Sequence, residues 1–181
     1  MTTETPAAAA AAPRASLFHA LDKKAAALAF VLGLAAILGA LGSQYIGGLQ
    51  PCPLCLEQRQ PYYWGLPVLG AVLVLWNRLP IQVWFIAVAL LAALFAWGAY
   101  MGGYHAGVEY GFWPGPTACA GTGTAITFND LNNLQPVVPC DKVQFQVLGI
   151  SLAGLNMLVS VAIVGLLLIA IADQWRRVRQ G

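Results

Sequence analysis

Long uncharged apolar stretches alternate with short polar segments along the chain. Four gaps in the distribution of Lys, Arg, Asp and Glu define these stretches: 25–56, 60–77, 79–108 and 143–172. Each gap supplies about 20 residues, which is the number that a helix needs to cross a bilayer core. Because backbone groups in lipid must bond within the segment and the stretches lack strand alternation, we predict helices. The predicted spans are 25–45, 62–76, 81–100 and 152–172.

The amino-acid composition is typical of a membrane protein. Of the 181 residues, 59% are apolar and only 9% are charged, whereas a soluble domain has about a quarter of its residues charged. The chain therefore lacks the charge to cover a water-facing surface. The predicted fold class is an all-α membrane protein, a four-transmembrane-helix bundle over residues 21–175.

The basic residues predict the orientation of this bundle. If four helices alternate in direction, seven of the nine fall on one side: Arg14, Lys23, Lys24, Arg78, Arg176, Arg177 and Arg179. Positive residues stay cytoplasmic, so we predict that both termini are cytoplasmic. A short loop at about 46–61 and a long loop at about 101–151 then face outward. The net charge of +2 reflects this topology and gives no reason to expect nucleic-acid binding.

The two ends of the chain differ from the membrane domain. Residues 1–20 are rich in Ala and predict a disordered cytoplasmic tail, and 176–181 form a basic cytoplasmic tail. Ala40-Leu41-Gly42 resembles a signal-peptide cleavage site, but the apolar run is longer than a usual signal core. Cleavage there would also place the C-terminal arginines outside, so we interpret the run as a retained helix.

Small and aromatic residues predict two further features. Small residues recur every four positions on the first helix and predict a face for close helix packing rather than a ligand groove: Ala35, Gly39 and Ser43. Aromatic residues begin the second span and are typical of the outer membrane interface: Tyr62, Tyr63 and Trp64.

A Cys-x-x-Cys pair lies in the short loop between the first two spans. Pro53 suits the first turn of the following helix, which places Cys52 near its cap and Cys55 in its first turn. The positive end of that helix, with Arg59 four residues further on, would stabilise a Cys55 thiolate and could meet the oxygen of an electron acceptor. Alternatively, Arg59 extends to lipid phosphates.

Cys119 and Cys140 lie in the one long polar segment and enclose a stretch rich in Gly, Pro, Thr and Asn. This composition predicts a mobile loop with one short helix near Phe128–Leu134. A structural disulfide explains the pair taken alone, while a mobile loop also permits thiol–disulfide exchange with the first pair. Four cysteines allow three pairings, and the sequence leaves the choice open.

Other kinds of site fit less well. A zinc site using Cys52, Cys55 and the other two thiolates is disfavoured by the spacing of the second pair and by an oxidising compartment, so no metal is expected. Covalent haem attachment needs His where Leu56 stands. A non-enzymatic four-helix scaffold with structural disulfides is the main alternative from another class.

The order of these features resembles the bacterial disulfide bond formation protein B (DsbB) family over roughly 20–175. The resemblance rests on Cys-Pro-Leu-Cys followed by Arg59, and on two segments, 104–116 before Cys119 and 139–154 around Cys140. A quinone-linked enzyme of the vitamin K epoxide reductase type fits less well, because its redox pair is expected near the last helices.

This resemblance implies a mechanism and a set of site residues. It implies an oxidoreductase of the bacterial inner membrane whose two outward loops face the periplasm. This enzyme would reoxidise a periplasmic thioredoxin-fold disulfide oxidase (DsbA-like) and pass two electrons to a quinone, ubiquinone or menaquinone. By position, Cys119 would form the mixed disulfide, Cys140 would exchange with Cys52, and Cys55 would face the quinone with Arg59. His105 occupies the place of a histidine implicated at the quinone site, or is a histidine bonded to backbone or water. Side chains expected to contribute to the pocket come from three places: Gln44–Tyr45, Leu152 and Asn156.

Overall fold

The computed structural model describes residues 21–119 and 138–180, which are mostly helical. The helices are α1 (Leu21–Tyr45), α2 (Pro53–Glu57), α3 (Gln60–Val74), α4 (Ile81–Glu109) and α5 (Leu152–Gln180). A 3₁₀ turn covers Thr117–Cys119, and a two-residue hairpin pairs β1 (Gln146–Val147) with β2 (Ile150–Ser151). The predicted tail over 1–20 and the predicted short helix near Phe128–Leu134 lie outside the described residues.

Three of the described helices are long and apolar enough to cross a bilayer: α1, α4 and α5. The second predicted span, 62–76, corresponds to α3, which has 15 residues and contains Pro67. At 1.5 Å per residue it is about 23 Å long, shorter than the roughly 30 Å hydrocarbon core. The chain is therefore an all-α membrane protein with three membrane-length helices and a fourth, shorter helix beside them.

Helix α4 continues beyond the third predicted span, 81–100, and ends at Glu109. The prediction stopped near Tyr100 because about 20 residues already suffice to cross the bilayer core. The added turns carry His105 and Glu109 on a helix rather than on a loop. Both side chains are thereby held at defined positions at one end of the bundle.

The core lies where α1, α3, α4 and α5 meet. Large apolar side chains there are fully buried: Leu69, Val88, Phe95, Ile163 and Leu167. Tyr62 packs edge-on against the Phe95 ring, with centroids 5.5 Å apart. Many other Leu, Ile and Val side chains on the outer helix faces are exposed, as expected where lipid is the solvent.

A buried ion pair joins the two ends of the described chain. The Asp22 carboxylate, fully buried in the first turn of α1, accepts a hydrogen bond from the Arg177 guanidinium near the end of α5. Arg177 also lies 3.4 Å from Asp173 on its own helix. The start of α1 and the end of α5 therefore lie at the same end of the bundle.

Helices α4 and α5 pack closely against each other at Gly102. A Cβ added there would lie 2.8 Å from the Met157 nitrogen and 3.1 Å from the Ala153 carbonyl oxygen. Both contacts are backbone, so rotating a side chain cannot relieve them. The crossing therefore depends on the missing side chain.

We predict that Gly102→Ala destabilises the bundle by about 1–3 kcal/mol, because the helices must separate to admit the methyl group. Thermal unfolding in detergent measures the effect. Gly165→Ala is the matched control, since a Cβ at Gly165 meets nothing within 4 Å and Ala is the better helix former. Equal stability of the two variants would contradict the crossing described here.

Candidate redox site

The Cys-x-x-Cys pair begins the short helix α2. Pro53 occupies its first turn, and Cys52 is its N-cap with an extended backbone, as the sequence predicts. The Cys55 backbone N–H donates to the Cys52 Sγ over 3.2 Å, and the two sulfur atoms lie 2.6 Å apart as free cysteines. The pair therefore lies in a tight turn that brings the sulfurs together.

One detail of this prediction is wrong, because the helix does not run unbroken from the cysteines through Arg59. Helix α2 ends at Glu57, and α3 begins at Gln60. Gln58 and Arg59 lie in the turn between them, and both side chains are buried. Their polar groups therefore point into the bundle.

The two thiols differ in acidity. The pKa of Cys55 is lowered, first because the Cys52 thiol donates to its sulfur, with a smaller contribution from the Arg59 charge. Burial and the Glu109 carboxylate oppose this shift. The pKa of Cys52 is raised, first by the same hydrogen bond and then by burial. Cys55 is therefore the more acidic thiol of the reduced pair, in agreement with the direction that the sequence predicts.

Arg59 contacts α1 and does not extend to the surface. Its guanidinium donates to the Gln44 side-chain oxygen and, over 3.3 Å, to the Ala40 carbonyl oxygen. The residue is only 9% exposed. This burial disfavours the alternative in which Arg59 pairs with lipid phosphates.

His105 lies beside the cysteine pair. Its Nε2 is 3.6 Å from the Cys52 Sγ and 3.9 Å from the Glu109 carboxylate. Its Nδ1 is 2.6 Å from the Gln58 amide nitrogen. The ring, which is 3% exposed, therefore joins the cysteines to a buried polar side chain.

The second cysteine pair is a disulfide, Cys119–Cys140, and both residues are buried. It packs in one cluster with Cys52, Leu54, Met101 and Val108. The structure thus selects one of the three possible pairings and places it next to the first pair. Because Cys119 and Cys140 are bonded to each other, the four-thiolate zinc site is not formed.

The segment that leads to Cys119 is fixed against the end of α4. The Trp113 ring occupies the space that a Cβ at Gly107 would need. The Trp113 Nε1 donates to the Tyr104 carbonyl oxygen over 2.9 Å. The Tyr104 and Trp113 rings are stacked, with centroids 6.0 Å apart. This packing turns the chain back over the helix toward the cysteine cluster.

A cavity of about 430 Å³ lies against the cysteine pair. Its polar wall contains Cys52, Cys55, Gln58, Arg59, Tyr62, His105, Glu109, Lys142 and Asn156. Its apolar wall comes mainly from α1 and α5 and includes Leu152, Leu155 and Val159. Leu152 and Asn156 lie where they are expected, whereas Gln44 takes part through Arg59 and Tyr45 is largely exposed.

Two predictions about packing are wrong here. The small-residue face of α1 lines the cavity with Ala35, Gly39 and Ser43, and a Cβ at Gly39 meets nothing within 4 Å. Tyr62 is buried and donates to the Asn156 side-chain oxygen over 2.7 Å, so it is no interface anchor. The periodicity identifies a small-residue face correctly but does not specify what lies against it.

Sequence reasoning missed several polar residues of this site. Gln58, Glu109 and Ser160 have no role in the predicted chemistry, yet all lie near His105 or Tyr62. Asn156 and Ser160 are four residues apart in an apolar run, which places them on one helix face. Polar residues so placed in a membrane helix are themselves a signal of function.

Comparison with known proteins agrees with this geometry. The family model described as disulfide bond formation protein DsbB matches residues 22–170. The chain belongs to the DsbB family. The disulfide bond formation protein B of Polaromonas sp. (strain JS666 / ATCC BAA-500) is 28% identical over 162 residues, covering 84% of this chain and 93% of that protein. No solved structure matches. This DsbB-family chain is thus a multi-pass membrane oxidoreductase of disulfide bond formation.

Three side chains of this DsbB-family site could also hold a metal ion. The ligand atoms of Cys52, Cys55 and His105 all lie within 4.8 Å of one another. Thiolate and imidazole are ligands that zinc and copper(I) accept. The same atoms, however, face the cavity, and the cavity offers a site for an organic molecule.

Proposed function

We propose that this chain is a thiol:quinone oxidoreductase of the bacterial inner membrane. It reoxidises a periplasmic thioredoxin-fold disulfide oxidase and passes two electrons to ubiquinone or menaquinone, which supports disulfide bond formation. The observation that carries the proposal is the cavity against Cys55, Arg59 and His105. A disulfide packed beside the same cysteine pair supplies the entry for electrons.

The proposed topology has four crossings, with α3 as the second. Both termini are then cytoplasmic, and the two cysteine pairs face the periplasm. The Asp22–Arg177 pair supports this topology, because it holds the start of α1 and the end of α5 at one end of the bundle. The basic residues near those ends favour the cytoplasmic side.

Electrons enter through thiol–disulfide exchange. A partner thiolate attacks the Cys119 Sγ, the Cys119–Cys140 bond breaks, and Cys140 leaves as a thiolate with the electron pair. Cys140 then attacks the Cys52 Sγ of an oxidised Cys52–Cys55 pair and releases Cys55 as a thiolate. Arg59 stabilises this leaving group, as its lowering of the Cys55 pKa indicates.

Two further exchanges release the oxidised partner and restore the Cys119–Cys140 disulfide. The partner's second thiolate attacks the partner sulfur bonded to Cys119, which closes the partner disulfide and releases Cys119. Cys119 then attacks Cys140, which restores their disulfide and leaves Cys52 reduced beside Cys55. The partner has lost two electrons and two protons, and the Cys52–Cys55 dithiol holds the electrons.

The cavity suits a quinone ring. Its wall is mostly apolar, and it carries two donors for carbonyl oxygens, the Arg59 guanidinium and the His105 ring. A bound quinone supplies a two-electron, two-proton acceptor. The chain's own residues place the Cys55 sulfur at the cavity wall, and the surrounding apolar side chains exclude water.

Reduction potentials explain why an acceptor is required. A strongly oxidising thioredoxin-fold oxidase has a potential of about −120 mV, whereas structural disulfides lie below about −300 mV. Transfer across that gap would cost roughly 8 kcal/mol, at about 1.4 kcal/mol per 30 mV. Because a quinone removes the electrons, the thiol–disulfide exchanges proceed toward oxidation of the partner.

The cavity gives a direct test of the proposal. Gly39→Leu fills space in front of α1, because a Cβ there meets nothing within 4 Å. We expect weaker quinone binding by about 1–3 kcal/mol, or roughly 5- to 150-fold in Michaelis constant. Gly42→Leu is the matched control, since Gly42 lies one turn away with equally open space and does not line the cavity. Equal quinone constants in the two variants would place the quinone elsewhere.

Arg59→Ala should raise the Michaelis constant for quinone by about 10- to 150-fold, since a hydrogen bond to a charged group contributes about 1.5–3 kcal/mol. The constant for the thiol partner should change much less. Steady-state kinetics with each substrate varied in turn measures both constants, and Arg59→Lys is the charge-retaining control. A larger effect on the partner would reassign Arg59 to partner docking.

A further inference from the structure

A continuous chain of polar side chains runs from His105 into the bundle. His105 Nδ1 is 2.6 Å from Gln58 Nε2, and Asn156 Nδ2 donates to Gln58 Oε1 over 2.8 Å. Tyr62 donates to Asn156 Oδ1 over 2.7 Å, and its hydroxyl is 3.0 Å from that of Ser160. Burying polar groups inside a membrane bundle costs free energy. A hydrogen-bonded series of polar side chains that joins three helices therefore indicates a function.

One contact fixes the direction of every bond in this chain. Gln58 Nε2 also lies 3.3 Å from the Leu54 carbonyl oxygen, which can only accept. That end of the Gln58 amide is therefore the NH₂ group, and its other end is the oxygen that accepts from Asn156. The Asn156 oxygen in turn accepts from Tyr62, so each atom has a consistent role.

The same contact determines where the His105 proton lies. Because Gln58 donates to Nδ1, the single N–H of the neutral ring is on Nε2. The groups that face the Nε2 side are the Cys52 sulfur and the Glu109 carboxylate, and the backbone of Cys140 is also in hydrogen-bonding range of the ring. A doubly protonated ring would bring an N–H against the Gln58 NH₂ group.

We propose that Gln58 is a positioning residue that holds His105 as the neutral Nε2–H tautomer, with its proton directed at Cys52 and the cavity. Asn156 donates to the Gln58 side-chain oxygen, and Tyr62 donates to Asn156, so the two residues hold the orientation of the Gln58 amide. The role of this proton rests on the proposed function: it is donated as a hydrogen bond to the Cys52 sulfur or to an acceptor oxygen in the cavity. The tautomer itself does not depend on that function.

The histidine content makes the tautomer measurable. The chain has two histidines, so His19→Gln leaves His105 as the single one. Nitrogen-15 NMR of the labelled imidazole in detergent distinguishes the two neutral tautomers and the imidazolium. We expect the Nε2–H pattern at pH 7 in the His19→Gln background.

Variants at Gln58 test the cause of that pattern. Gln58→Glu replaces the donor with an acceptor, so we expect the imidazolium pattern at the same pH. Gln60→Glu adds the same charge two residues away on an exposed side chain, and we expect the pattern of the background. If Gln58→Glu fails to fold, Gln58→Met serves instead and should give a mixture of tautomers. An Nδ1–H pattern in the background, or an unchanged pattern in a folded Gln58 variant, overturns the inference.

Quinone turnover of the same samples separates this inference from the proposed function. If the sample reduces quinone but its NMR spectrum shows the Nδ1–H tautomer, the proposed tautomer is wrong and the proposed function is unaffected. If the spectrum shows the Nε2–H tautomer but the sample reduces no quinone, the proposed function is wrong and the proposed tautomer is unaffected. Turnover in Gln60→Glu should match the background, while Gln58→Glu should be slower.

Discussion

Cys55→Ser is expected to reduce quinone reduction to the background rate. A serine hydroxyl cannot form a disulfide with Cys52 and is not a thiolate at neutral pH, so electrons that reach Cys52 have no exit to the cavity. In the proposed mechanism Cys55, which lies in the cavity wall and has the lower pKa of the two thiols, is the sulfur on the acceptor side. The measurement is quinone absorbance during turnover with a reduced thioredoxin-fold oxidase.

A single-turnover control separates this loss from misfolding. The Cys119–Cys140 disulfide is intact in Cys55→Ser, so each molecule should still oxidise one equivalent of partner. Cys52→Ser should behave alike, because the relay then ends at Cys140. Sustained quinone reduction by Cys55→Ser would remove Cys55 from the acceptor side.

Cys140→Ser is expected to accumulate a covalent complex with the partner oxidase. Cys119 is then a free thiol whose thiolate attacks the oxidised partner, and a Cys119–partner disulfide forms as the partner bond breaks. In the parent chain the Cys140 sulfur takes Cys119 back into their disulfide after each exchange, so the mixed disulfide with the partner does not persist. Without that thiol the complex should become the main species on non-reducing gels and disappear on reduction.

The position of the trapped sulfur distinguishes the order of the relay. Cys119→Ser is the matched variant, because it leaves Cys140 free in the same buried cluster. We expect far less complex from it, since Cys140 is the sulfur that faces the first pair in the proposed order. Equal trapping by both variants would contradict that order.

The sequence predicted the parts of the fold that depend on local pattern. Charge gaps located three helices of membrane length, and the proline after Cys52 located the start of α2. The same pattern could not show where α4 ends, since a helix can continue past the membrane core. Nor could it show that the chain turns at Gln58 between α2 and α3.

The site was predicted in its sulfur chemistry but not in its polar surroundings. Cysteine spacing reveals redox chemistry directly, whereas the side-chain partners of Gln58 and Tyr62 lie 47 to 98 residues away in sequence. The face of α1 around Gly39 shows the same limit, because periodicity finds a small-residue face but not the groups that lie against it. Only the packing of α1, α3, α4 and α5 brings these groups together.

The most direct test of the proposed thiol:quinone oxidoreductase activity is the stoichiometry of the reaction in purified protein without oxygen. A reduced thioredoxin-fold oxidase and a quinone are added, and partner thiols and quinone absorbance are followed together. We expect one quinone to be reduced for each partner disulfide formed, and partner oxidation to stop after one stoichiometric turnover when quinone is absent. Continued partner oxidation in a quinone-depleted sample, or partner oxidation without loss of quinone, would contradict the proposed activity.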